Sequence, residues 1–345
     1  MEPPPERLPA RRDTILFHGA RLKVTLSFMP RSVVCALTVV LAAAHVGAVS
    51  VEGRITNASN VRLRSAPSTN ASIAAELSLG TELVVLERTN QAELWYQVRT
   101  DDGRNGWVLA RFTTALDLAH RNQIIESIVL DRLQSVGSFT ASLQLFNLIE
   151  KTAARLNDRE AQARFALYRL RSMNNVLGGV PFRRGDSDLY QGWISEHQEA
   201  ARYNEPAGQW MVDPSYALEV HEKHRGTAAA DDIAWFLVLN DFYGECEGNV
   251  PCYVGWQNQL NGEYLRLHPR GRHSDESNAN IMRGLNAAMD NLQNFPLVLK
   301  EFDPATGCGE LHTSLDPLVA AVTASTSARK ADALAAIDRF AQLCR

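Results

Sequence analysis

Hydrophobic spacing changes once along this 345-residue chain, and the change limits what it can fold into. Between residue 52 and Phe112, apolar residues come in short runs: Val61 with Leu63, Leu83-Val84-Val85-Leu86, Trp95-Tyr96-Gln97-Val98 and Trp107-Val108. Gly80, Asp102-Gly103 and Gly106 punctuate them, the pattern of short antiparallel strands joined by tight turns. Beyond Phe112 the period becomes 3.6. Leu118, Ile124, Ile125, Ile128, Val129 and Leu133 mark one amphipathic helix, and Phe139, Leu143, Phe146, Ile149 and Leu156 a second. Ala163, Leu167, Leu170, Met173 and Leu177 mark a third, which Gly178-Gly179 stops. Further helices are predicted over about 187–202, 214–224, 228–241, 252–267, 275–292, 315–323 and 327–343, with no comparable strand signal among them. The expected fold is multidomain: a small all-β barrel over 52–114, then an all-α helical domain over 116–345, built as a bundle or a repeat array.

The segment before the barrel reads as an address. Arg31 precedes Val33–Ala44, a run apolar but for Thr38, and small residues follow at Gly47 and Ala48. The run is shorter than the roughly 20 apolar residues that span a bilayer. A basic flank, a short apolar stretch and a small-residue exit define a secretory signal peptide, here residues 1–48. Residues 1–28 lack any period, and Met29 is the favoured true start. Cys35 stands at the near end of the run, the wrong end for lipid attachment. The expectation is an exported protein, periplasmic or extracellular, with no stable membrane span after cleavage.

The β segment then becomes specific. Asn60-Val61-Arg62 is followed by Pro67, then by Gly80 before a hydrophobic strand, then by Trp95 with Val98, Asp102-Gly103 and Gly106-Trp107-Val108. In order and spacing these residues resemble bacterial SH3-like (SH3b) domains, which read N-V-R-x-x-P, W-x-x-V, D-G and G-W-V. The resemblance implies a small barrel that binds cell-wall peptidoglycan or a protein partner, or serves as a spacer. The acidic, aromatic loop that grips Pro-rich peptides in eukaryotic SH3 domains is not visible, so no such binding is expected. Alternation along the strand puts Tyr96 and Val98 on the core face, and Trp95, Gln97 and Arg99 on the other. Trp95 and Arg99 are the candidate ligand-binding residues, with Trp95 part-exposed to stack on a sugar or peptide; Trp107 is expected in the core.

Within the helical region, Glu263–Glu276 resembles the helix-break-helix of exported TPR-like proteins, often Y-L-x-x-Y-P-x-G-x-x-x-x-E, with His268 in place of the second Tyr. Pro269 and Gly271 end one helix and Ser274-Asp275-Glu276 cap the next. No clean 34-residue repeat accompanies it.

Four cysteines follow the leader: Cys246, Cys252, Cys308 and Cys344. An even number in an exported chain fits disulfides, with three pairings open. Gly248 and Pro251 permit a tight Cys246–Cys252 loop, which leaves Cys308–Cys344. The rival reading is a metal site or a nucleophilic Cys, and the spacings match no common zinc pattern.

No residue set forms a recognisable active site. His221-Glu222-Lys223-His224 places its histidines at i and i+3, where a metalloprotease helix needs i and i+4, so a solvated helix face is expected. Cys252 with His268 or His273 is the nearest Cys–His arrangement, and Glu245 and Glu247 beside Cys246 the nearest carboxylates for a muramidase. No metal and no cofactor are expected. Net charge is −4, and residues 1–48 hold six of the 35 basic but only three of the 39 acidic side chains, so the remainder is more acidic still. That balance argues against nucleic acid as the main partner. The leading expectation is a non-catalytic envelope protein that binds peptidoglycan or an envelope protein; the alternative is a cell-wall hydrolase with an unfamiliar helical catalytic domain.

Overall fold

A computed structural model describes residues 52–89, 93–135, 137–180, 188–240, 246, 248–294 and 302–345. The expected leader, with Met29 and Cys35, lies outside the described residues, as do Glu245 and Glu247. Ser50–Arg345 form one compact unit.

Seven short strands come first: β1 (Gly53–Thr56), β2 (Val61–Arg64), β3 (Ile73–Leu77), β4 (Glu82–Arg88), β5 (Trp95–Thr100), β6 (Asn105–Leu109) and β7 (Thr113–Ala115). All pairings are antiparallel, in the order β3-β2-β6-β5-β4-β1-β7. Alternation sets the inner face. Val61 and Leu63 on β2, Leu77 on β3, Leu83 on β4, Tyr96 and Val98 on β5 and Val108 on β6 meet in one cluster, so the sheet wraps a single core. The β5–β6 turn closes at Gly103, whose φ of +85° suits glycine. Asp102 accepts hydrogen bonds there from Thr100 Oγ1 and, at 3.0 Å, from Arg104 Nε, and these two partners hold its carboxyl well below the usual carboxylate range. Trp107 is half-buried rather than a core residue, because it pairs with Gln97 and Arg64 on the outer face.

Helices follow. α1 (Arg121–Leu133), α2 (Phe139–Ala153) and α3 (Arg159–Gly178) match the three periodic runs. Ser138 Oγ caps α2 and Asp158 caps α3 by accepting from the third residue on. After α4 (Asp188–Glu196) the chain forms a hairpin, β8 (Ala201–Asn204) and β9 (Gln209–Val212), where helix had been expected through residue 202. Each strand is only four residues long, too short for a period-two signal to stand out, and Gly208 at φ +64° makes the turn. The layout is therefore all-β then α-helical, with one small hairpin among the helices.

The rest comprises α5 (Pro214–Lys223), α6 (Ala229–Leu239), α7 (Val250–Gln257), α8 (Glu263–Leu267), α9 (Ser274–Asn294), α10 (Pro304–Ala324) and α11 (Lys330–Ala341). The helix expected over 252–267 is interrupted by a π-helical turn, Asn258–Gly262. α10 starts well before the expected residue 315, because Asp303 caps a first turn whose Gly307 and Gly309 hide the helical pattern, and it tolerates Pro317 inside. No described helix is long and apolar enough to cross a membrane.

Two cores fill the helical body. Helices α2 to α6 and the hairpin share one, around Phe146, Met173, Trp193 and Phe236. Helices α6 to α11 share the other, around Tyr264, Ile281, Leu318 and Phe340. A third spans barrel and helices: Ile55, Leu79 and Leu116 pack with Ile125, Val129, Leu148, Ile149 and Phe165. Arg121 on α1 also bonds Glu82 on β4 through Nε at 2.8 Å. The β segment is thus seated on α1 to α3, not strung from them by a linker.

Candidate functional site

The barrel carries a cavity of about 490 Å³ at one end. Its residues come from four places: the loop and strand from Ala58 to Arg64, Thr69 in the loop before β3, the start of β5, and the end of β6 with the 3-10 turn Ala110–Phe112. Trp95 lines it, opposite Leu109 in the β5–β6 register. Phe112 forms a wall, 37% exposed, with the Arg111 guanidinium 5.0 Å from its ring centroid. Arg62, Arg64 and Arg111 all line the cavity, and among the described residues no acidic side chain does. Arg64 is fixed by donating to the Ala71 carbonyl at 2.6 Å, whereas Arg62 and Arg111 are exposed.

Asn60 sits on the rim with φ +55°, a left-handed conformation that asparagine tolerates better than most residues. The Asn of the N-V-R motif therefore turns the chain into β2 and places Arg62 and Arg64 outward while Val61 and Leu63 point in.

Trp95 is only 3% exposed, so it is a buried wall of the cavity and not the part-exposed platform expected from alternation. Period two assigns a face but does not say that the 3-10 turn and the Asn60 loop close over that end of it. Arg99 is exposed, lies four residues further along β5, about 13 Å at the usual strand rise, and does not line the cavity. Arg62, Arg64, Arg111 and Phe112 were missed by the sequence reading. The outward positions of the V-R-L-R run were a usable signal for the first two, while Arg111 and Phe112 lie beyond the strand pattern.

His221 and His224 are buried, at 1% and 8% exposure, contrary to the solvated face expected. For His221 the reason is the helix break after α8, where His268 Nε2 lies 2.8 Å from His221 Nε2. Burial lowers the pKa of both rings, outweighing Glu222 and Asp231 nearby. Around the same break, Tyr264 Oη donates to Asp231 at 2.6 Å and accepts from the His273 amide at 3.0 Å, and His273 Nε2 lies 3.0 Å from Asp232. Burial and the Asp231 bond push the Tyr264 hydroxyl up. These contacts tie α8 and the loop after it to α5 and α6, with the buried His221 Nδ1 left without a hydrogen-bond partner, so the arrangement is a structural joint.

Cys246 pairs with Cys252 and Cys308 with Cys344, with Cα–Cα distances of 5.5 and 5.8 Å. Cys252 is thereby no free thiolate for His268 or His273 to activate. Among the described residues no group of three His, Cys, Asp or Glu side chains could hold a metal ion.

A seven-stranded antiparallel sheet wound on one core, with N-V-R at the second strand and a tight Asp-Gly turn, defines the β region as an SH3-like module. Residues 59–114 match the bacterial SH3 domain family, and the cavity lies almost wholly within that stretch. No curated protein and no solved structure is significantly similar to the chain.

Proposed function

We propose that this is an exported, non-catalytic envelope protein whose SH3-like module binds peptidoglycan through the Trp95–Phe112 cavity, with the helical body as a platform for an envelope partner. The observation that carries the reading is the lining of that cavity: among the described residues, three guanidiniums, two aromatic rings and no carboxylate. Such a pocket suits a ligand that presents carboxylates beside apolar groups, because Arg pairs with carboxylate in a bidentate fashion. The peptide stems of peptidoglycan have that chemistry. Two disulfides fit the oxidising compartment that export supplies. The TPR-like likeness of Glu263–Glu276 supports a partner-binding role for the helices on those residues alone. The hydrolase reading loses its Cys–His candidate to the Cys246–Cys252 bond.

The test is co-sedimentation of the purified protein with peptidoglycan sacculi, followed by assay for released muropeptides. Sedimentation without release is expected. Arg62→Glu and Arg111→Glu are the informative variants, since both side chains are exposed and a reversed charge there leaves the core intact. Trp95→Ala removes a buried ring and confounds binding with folding. Release of muropeptides, or sedimentation unchanged by both charge reversals, would falsify the proposal.

A further inference from the structure

We propose that the helical body carries a binding site for a neutral saccharide, in a cleft of about 520 Å³ bounded by α6, α7, the π-helical turn and α9. The volume falls in the range of about 300–1,000 Å³ usual for ligand pockets. It shares no residue with the barrel cavity.

Among the described residues, every side chain lining this cleft is uncharged. An ionised ligand would be desolvated there without a counter-charge, at a cost no group in the cleft offsets. On one flank stand Tyr253 and Trp256, three residues apart on α7, with ring centroids 6.4 Å apart and planes at 79°. Both rings are half-buried, an arrangement that offers an apolar face to the C–H side of a pyranose.

The polar surface is made of carboxamides: Gln257, Asn261, Asn280 and Asn291. Carboxamides both donate and accept, as sugar hydroxyls and acetamido groups do. Three of the four are ordered into a one-way chain. Arg283 donates to Asn280 Oδ1, Asn280 Nδ2 donates to Asn261 Oδ1 at 3.3 Å, and Asn261 Nδ2 donates to Gln257 Oε1 at 2.9 Å. Asn261 is 3% exposed, so the chain is fixed from inside. It ends on Gln257 Nε2, whose N–H groups are left for a ligand. Gly284 makes room for that amide: a Cβ there would lie 2.5 Å from Gln257 Nε2. The π-helical turn that carries Asn261 is an irregularity that concentrates at functional sites in helices.

The experiment is isothermal titration calorimetry of the purified protein with chitotetraose, cellotetraose and maltotetraose. At least one is expected to bind at a single site with a Kd of about 1 mM or tighter. Trp256→Ala is expected to weaken it by about ten-fold or more, and Asn291→Ala and Gly284→Ala by several-fold. Arg111→Glu in the barrel leaves the titration unchanged, which separates this site from the barrel cavity. Asn291 is exposed, so its variant reports on binding even if Trp256→Ala fails to fold. The proposal is overturned if all three saccharides are silent, if binding survives both Trp256→Ala and Asn291→Ala, or if an acetylated trialanine binds where the saccharides do not.

Discussion

Gln144 on α2 donates through Nε2 to Asn60 Oδ1 at 2.6 Å, while its own Oε1 accepts from the Leu79 amide at 3.0 Å. One side chain of the helical body thus holds both the rim of the barrel cavity and the turn before β4. Gln144→Ala removes both bonds and leaves the amide of the buried Leu79 without its acceptor. A loss of about 1–2 kcal/mol in urea unfolding is expected, together with weaker sedimentation on sacculi, because Asn60 shapes the cavity mouth. Unchanged stability would mean that the apolar contacts and the Arg121–Glu82 pair seat the barrel without it.

Those apolar contacts have their own weak point. Gly80 has φ +79°, and a Cβ there would lie 2.4 Å from Leu148 Cδ1 on α2. Gly80→Ala therefore combines an unfavourable backbone conformation with a steric clash, and is expected to cost about 1–3 kcal/mol. The clash half of that cost depends on Leu148. In a double-mutant cycle, Gly80→Ala should cost less in a Leu148→Ala background than in the parent, measured by urea unfolding at one pH. Equal costs in both would show that backbone strain is the whole effect.

The buried histidines give the fold a pH dependence with a definite sign. His221, His224 and His268 all have their pKa lowered by burial. Glu222 and Glu263 favour the charged form of His221, as Asp231 does that of His268, and Arg225 opposes both; Lys223 and Arg159 oppose that of His224. The unfolded chain, with histidines near the ordinary value of about 6.5, binds more protons than the native state in mildly acidic solution. Stability is then complete above about pH 6.5 and falls as the pH drops towards the lowered native values. The urea midpoint should decrease from pH 7.5 to pH 5.5, and His221→Gln should make that slope shallower. A flat profile across the interval would contradict it.

The parts of this molecule that were legible in its sequence are those where one residue answers a local demand. Asp102-Gly103 closes a hairpin, Gly178-Gly179 stops α3, and Pro269 and Gly271 part α8 from α9, each within a few residues of the run it serves. The cavity was harder to read because its walls meet only in three dimensions. Trp95 is on the face that alternation assigned, yet its burial depends on Leu109 and on the turn carrying Phe112. The buried state of His221 likewise depends on His268, 47 residues away, and no helical period carries that information. The β8–β9 hairpin escaped for a different reason, since Tyr203 and Trp210, which pair across it, lie in four-residue segments too short to set a period.

The two disulfides close loops of very different length, and their contributions to stability should differ accordingly. Cys246–Cys252 spans a sequence separation of 6, whereas Cys308–Cys344 spans 36 and ties the first turns of α10 to the end of the chain beyond α11. In the chain-entropy model these loops correspond to about 2 and about 4 kcal/mol. The longer bond also holds α11 beside α10, where Ile337 and Phe340 pack into the core formed with Leu311 and Leu315. Replacing Cys308 and Cys344 by serine should therefore lower the unfolding free energy more than replacing Cys246 and Cys252, and reduction of the parent protein should approach the sum. Urea unfolding of both double variants, with and without reductant, gives the comparison. If the short-loop variant is the more damaged, the Cys246–Cys252 bond has a role beyond loop closure, in holding the start of α7, where Asn249 caps the helix through the Cys252 amide at 3.0 Å.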